Sequence, residues 1–172
     1  ITFTVPTGLP YTESGFSFVH HASEFNVSNS NINGSLRLNV SSAVIDNSAF
    51  SVSTFSGFDG YGLFYYGNNG STVTVSNSTF VTQGKAIVMY NEGAIVYNLT
   101  VANTTFTSLN GATDKAAIQM HTEYGISGTV AITNSTATGF AAINDGLWNE
   151  LDNNIGTTTN QFDITIDGNL VH

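Results

Sequence analysis

The 172 residues suffice for one domain with a sizeable core. Lys and Arg total 3 against 12 Asp and Glu, a net charge of −9. Arg37, Lys85 and Lys115 are too few to neutralise a run of phosphates, which excludes nucleic acid as a partner and disfavours anionic membranes.

Only 9% of residues are charged, so surface polarity has to come from Asn, Ser and Thr. The lack of cysteine removes disulfides and thiolate metal sites. No apolar run approaches the length of a membrane-spanning helix, so no membrane insertion is expected. Helix formers are sparse, β-branched residues are common and there are 17 glycines, which predicts an all-β chain. The opening "ITFTVP" carries no basic–apolar signal and reads as a mature chain cut from a longer precursor. The chain is expected to be secreted or at the cell surface.

Residues 1–14 are short, β-branched and interrupted by Pro6 and Pro10. They are expected to cap the first rung of the repeat or to act as a strand offered to a neighbouring subunit. From residue 15 a repeat begins. "GFSFVHHASE", "YGLFYYGNNG", "KAIVMYNEGA" and "KAAIQMHTEYG" each precede an Asn motif: "NVSNSNI", "TVSNSTF", "TVANTTF" and "AITNSTA", with a fifth copy in "VIDNSAF". The unit is strand, Gly- or Asn-containing turn, strand, Asn motif, loop. Unit starts near residues 15, 35, 61, 85, 115 and 141 give steps of roughly 20 to 30 residues, in the range of solenoid repeats. Residues 15–140 are expected to hold five rungs, and 141–172 a degenerate last rung and C-terminal cap.

Side chains alternate along a strand. Val73, Val75 and Asn77 share one face, as do Leu99, Val101 and Asn103; Val130, Ile132 and Asn134; Phe25, Val27 and Asn29; and Ala43, Ile45 and Asn47. Parity therefore places Asn29, Asn47, Asn77, Asn103 and Asn134 inward, where stacked amides would satisfy one another. Asn also tolerates the left-handed backbone of a tight turn. Three residues on, Phe50, Phe80 and Phe106 are expected to stack as an apolar column with Ile32 and Ala137.

Over roughly residues 15–170 this pattern resembles the right-handed parallel β-helix of the pectin-lyase-like superfamily, in its rung length and in the Asn column at a turn. The resemblance implies a single-domain β-solenoid of about six rungs. It implies little about function, because that fold hosts lyases, hydrolases, adhesins and tailspikes. The composition is similar to repetitive microbial surface proteins of the adhesin and sheath type. An antiparallel jelly roll or Ig-like sandwich is the other all-β architecture with alternating strands.

Eight Asn-X-Ser/Thr sequons occur. Inward parity would leave Asn77, Asn103 and Asn134 bare, so Asn26, Asn33, Asn39, Asn69 and Asn98 are the candidate glycan acceptors. The acidic cluster and Arg or Lys base of pectate lyases, and the aspartates, Gly-His-Gly and Arg-Ile-Lys runs of polygalacturonases, have no counterpart here. No catalytic residue or cofactor is expected. His20, His21 and Glu24 in "VHHASE" are donors of the zinc-binding type, but neighbouring strand histidines point to opposite faces. His121 and Glu123 are similarly placed. Asp145, Glu150 and Asp152 in "NDGLWNELDNN" are calcium candidates, in a loop that equally reads as a cap with Trp148 over the core end. "YGLFYY" carries aromatics on both faces, which makes Tyr65, Tyr66 and Trp148 the candidates for contact with a sugar or partner. The leading expectation is a noncatalytic structural solenoid at the cell surface that associates with copies of itself. The alternative is a carbohydrate-binding or adhesive module, and the third a polysaccharide lyase or hydrolase.

Overall fold

The computed structural model describes residues 2–4, 16–52, 60–66, 70–91, 96–112, 116–122, 127–140, 148–152, 161–168 and 170–171. The described residues form strands and no helix. In chain order these are β1 (Thr2–Thr4), β2 (Phe16–Ser28), β3 (Asn31–Asn33), β4 (Ser35–Asp46), β5 (Ala49–Val52), β6 (Leu63–Tyr66), β7 (Ser71–Ser76), β8 (Thr79–Thr82) and β9 (Ile87–Asn91). They continue as β10 (Val96–Ala102), β11 (Thr105–Ala112), β12 (Ile118–Thr122), β13 (Ser127–Thr133), β14 (Thr136–Phe140), β15 (Trp148–Asp152), β16 (Gln161–Asp167) and β17 (Leu170–Val171).

Among the described residues every strand pairing is parallel, which sets aside the antiparallel sandwich. A 7-stranded sheet runs β1-β3-β5-β8-β11-β14-β17. A 10-stranded sheet runs β15-β12-β9-β6-β4-β7-β10-β13-β16, with β2 also on β4. The second sheet curls about β4, whose Leu36–Leu38 pair with β6 while Ser42–Asp46 pair with β7. The chain returns to the same place after each circuit, an arrangement compatible with a parallel β-solenoid. Equivalent turn residues are 18, 30, 26 and 31 positions apart, so the circuits differ in loop length while their strands stay in register.

The core is built of columns that run from circuit to circuit. Val27, Ile45, Val75, Val101 and Ile132 form one, and Leu36, Leu63, Ile87 and Ile118 another; all are buried. Across the turn, Ile32, Phe50, Phe80, Phe106 and Ala137 face them. The Phe50 and Phe80 rings stack with centroids 4.4 Å apart and planes 8° from parallel, and Phe80 stacks on Phe106 at 5.4 Å. Such pairs add about 0.5–1.5 kcal/mol beyond the area they bury. Gly128 is set against β10 so closely that a Cβ there would lie 1.6 Å from the Tyr97 carbonyl oxygen. Only glycine fits that register.

The turn between the two sheets corrects the expectation of an inward Asn ladder. Asn29, Asn47, Asn77, Asn103 and Asn134 are all exposed. Their φ angles lie between 44° and 51°, in the left-handed region. A left-handed residue breaks the strand's alternation, so the Asn that parity counting turns inward is turned out, and the residue after it is turned in. Those following residues, Ser30, Ser48, Ser78, Thr104 and Ser135, are the buried polar column. Each hydroxyl donates to the carbonyl two residues back, at 2.7–3.0 Å. The Ser48, Ser78 and Ser135 hydroxyls also accept the backbone N–H of the preceding circuit, from Ser30, Ser48 and Thr104. Outside, the amides make a ladder of their own. Asn47 Nδ2 donates to Asn29 Oδ1 at 2.6 Å and Asn103 Nδ2 to Asn77 Oδ1 at 3.3 Å. Asn77 Nδ2 instead donates to Asp46 Oδ1 at 2.8 Å. Gly168, at φ 65°, takes the Asn place after β16.

Candidate functional site

Alternation along β6 splits its aromatic run. Leu63 and Tyr65 are fully buried, while Phe64 and Tyr66 face out and are half-buried. The register sets Phe64 between Arg37 of β4 and Val88 of β9, and Tyr66 beside Tyr90. With Tyr61, just ahead of β6, the outward rings form a continuous chain. Tyr61 lies 5.8 Å from Phe64, Phe64 5.8 Å from Tyr90, and Tyr90 5.6 Å from Tyr66, all at mutual tilts of 32–35°.

Two of the chain's three basic residues lie on this strip. The Arg37 guanidinium carbon is 5.2 Å from the Phe64 ring centre and Lys85 Nζ is 5.5 Å from that of Tyr61. Each is within cation–π range. Further along the same row the outer face closes over, since Val88 and Gln119 are buried. Among the described residues the half-exposed rings of this row lie on the β4–β6–β9 stretch. In the sequence the basic residues stand out only by their sparseness. The signal that would have found them is the alignment of "LRL" with "LFY", which sets Arg37 opposite Phe64.

Tyr65 is corrected from a contact residue to a core residue. Its side chain is fully buried, its phenol donates to the Val40 carbonyl, and its ring meets Tyr97 edge-on at 6.0 Å. Burial pushes the Tyr65 phenol above its ordinary pKa, partly offset by a hydrogen bond with Ser71. Tyr97 is buried too and donates to the Tyr90 carbonyl at 2.8 Å, which ties the interior to the outer strip.

The other candidates are scattered. Asn26 and Asn33 are exposed, and Asn39 and Asn98 half-buried; Asn98 Oδ1 accepts from Thr129 at 2.9 Å. The parity argument for leaving Asn77, Asn103 and Asn134 bare falls with their exposure. Asn69, Glu123 and Asp145 lie outside the described residues. Trp148, Glu150 and Asp152 belong to β15, His121 to β12, and His20 and His21 to β2; those side chains also lie outside what is described. β2 carries one residue more than β4 between His20 and Ala22, so the register shifts at His21. Among the described residues no three His, Asp or Glu gather as a metal site, and no helix is long and apolar enough to cross a membrane.

The arrangement offers flat apolar surface, phenol hydroxyls and two cations, a set suited to stacking and hydrogen bonding with a ring-shaped polar ligand. Compared with known proteins, the chain matches no family model, no curated protein and no solved structure.

Proposed function

We propose that this chain is a noncatalytic extracellular β-solenoid of about six coils that holds a carbohydrate chain on its β4–β6–β9 face. The single observation that carries the reading is the contiguous outward strip of Tyr61, Phe64, Tyr90 and Tyr66. Burial rules normally send such rings inward, and exposed aromatic patches mark binding surfaces. Sugar rings present apolar C–H faces and hydroxyl edges, which the strip matches with ring faces and phenols. Its length across adjacent strands suits a polymer rather than a single sugar. The pectin-lyase-like resemblance supports the reading only in placing saccharides among the ligands of that architecture. A glycan array followed by titration calorimetry tests it. Tyr66→Ala and Tyr90→Ala should each weaken binding by about 1–2 kcal/mol if the rings stack on sugar. An array without hits, or variants that bind like the native chain, would remove the proposal.

A second reading is assembly with copies of itself, favoured by the sheet edges. β1 and β17 bound one sheet, and β2, β15 and β16 bound the other, each paired on one side only among the described residues. Because all pairings are parallel, the free edge at one end complements that at the other. Electron microscopy of concentrated protein distinguishes filaments from isolated short rods.

A further inference from the structure

The outer face of the 7-stranded sheet is unlike the rest of the surface. Its outward positions form two columns, set by register. The first is Asn31, Ala49, Thr79, Thr105 and Thr136; the second is Asn33, Ser51, Val81, Thr107 and Thr138. All ten are exposed or half-buried, while Ile32, Phe50, Phe80, Phe106 and Ala137 between the columns are buried beneath. The strands β3, β5, β8, β11 and β14 contain no charged residue. Among the described residues, none of the hydroxyls of Ser51, Thr79, Thr105, Thr107, Thr136 and Thr138 has an intramolecular hydrogen-bond partner.

From β5 to β14 this is a two-dimensional array of hydroxyls and methyls, with Ala49 and Val81 supplying methyls alone. Its spacing is about 4.8 Å from strand to strand and about 6.6 Å between the two columns. β-Branched side chains are stiff at χ1, which limits each threonine to few hydroxyl and methyl placements. The stacked phenylalanines below and the parallel backbone hold the lattice rigid. Fixed charges would orient water radially and break any two-dimensional order, and these five strands carry none. The face thus presents unpaired hydroxyls at a period nearly commensurate with oxygen rows on the faces of hexagonal ice, with methyls between them to cage the intervening water.

We infer that the outer face of this sheet binds ice, through Thr79 of β8 and the threonine pairs of β11 and β14. The lack of charge counts against a phosphate, an acidic glycan or a charged protein patch as occupant. The lack of aromatic rings counts against the sugar stacking proposed for the β4–β6–β9 face, and the two surfaces are independent.

The test is partition of the full chain into a slowly growing ice hemisphere, with ice recrystallisation and thermal hysteresis read in parallel. The native chain should enter the ice and arrest recrystallisation. Thr105→Lys and, separately, Thr107→Lys should require roughly tenfold more protein for the same arrest. Thr100→Lys, exposed on β10 of the other sheet, should leave it unchanged. Thermal melts establish that each variant is folded, and Thr138→Lys replaces any that is not. Exclusion of the native chain from ice would overturn the inference, as would equal losses from Thr105→Lys and Thr100→Lys. A dimer in solution that Thr105→Lys dissociates would also overturn it, by giving the face to a second copy.

Discussion

Two polar columns run side by side at the same turn, one residue apart in sequence, and they stabilise the fold in different ways. The outer column is Asn29, Asn47, Asn77, Asn103 and Asn134, wet and left-handed. The inner column is Ser30, Ser48, Ser78, Thr104 and Ser135, dry, every hydroxyl donating to a carbonyl and those of Ser48, Ser78 and Ser135 also accepting a backbone N–H. The asparagines matter chiefly for their backbone conformation, since an exposed amide bond competes with water. The hydroxyls matter for satisfaction, since the backbone groups they pair with have no water to fall back on. Recurrence of a residue type therefore does not show which physical demand it meets.

Substitutions moving outward through the turn should sharpen this contrast, and their effects should shrink in order. Phe80→Ala, beneath the turn, removes the middle ring of the stack. It should cost about 3–5 kcal/mol in urea unfolding, a fully buried aromatic being lost with little room for collapse. Ser78→Ala keeps the volume but strands the Ser48 N–H, which donates to that hydroxyl at 3.1 Å. A cost of about 1–3 kcal/mol is expected from a buried unsatisfied donor. A Ser78→Ala variant as stable as the native chain would mean that the inner column is not what holds the turn.

The outer column should respond to backbone preference first. Asn103→Ala places a non-glycine residue without Asn's local hydrogen bonding at φ 51° and should cost about 1 kcal/mol. Asn103→Gly deletes the same amide bond to Asn77 yet suits the angle, so its cost should be only a few tenths of a kcal/mol. The chain makes this exchange itself at Gly168. If Gly proved as costly as Ala, the amide ladder rather than the φ angle would be the outer column's contribution.

The all-β class and the two-residue alternation were legible because strand parity is a local property, and the spacing of the Asn motifs announced a stacked repeat. Pairing direction was legible only through that spacing. The inward placing of the asparagines fails for a definite reason: parity does not carry through a residue at positive φ, where the period of two stops. Two residues carried the missing signal. Thr104 holds the place of a serine in the other copies, so a hydroxyl, not a particular amide neighbour, is what recurs. Gly168 in "TIDGN" occupies the Asn place, the mark of a left-handed position. The aromatic strip was half legible. Parity separates Tyr65 from Tyr66 but does not say which face is outside, and buried Leu63 and Leu38 decide that only once β4 and β6 are paired.

Asp46 is where the outer column departs from an amide ladder, and pH should expose it most gently. Its carboxylate accepts from Ser76 Oγ at 2.7 Å and Asn77 Nδ2 at 2.8 Å. These bonds, the Ser76 hydroxyl first and then the Asn77 amide, hold its pKa below the ordinary 3.8, against a small opposing desolvation. A carboxyl lowered in the folded state binds its proton more readily when unfolded. Its contribution is therefore fully present above the ordinary value and is lost as pH falls through the folded one. Asp46→Asn removes that linkage, since Asn does not titrate, and keeps an oxygen that can accept from the Ser76 hydroxyl and the Asn77 amide. Melting temperatures of the two proteins should run parallel from neutral pH down to about pH 5, then converge below pH 4 as the native chain alone loses the bonded carboxylate. The carboxylate is only partly buried, so the convergence should be small; a gap that persists unchanged below pH 4 would place the effect in the turn's backbone instead.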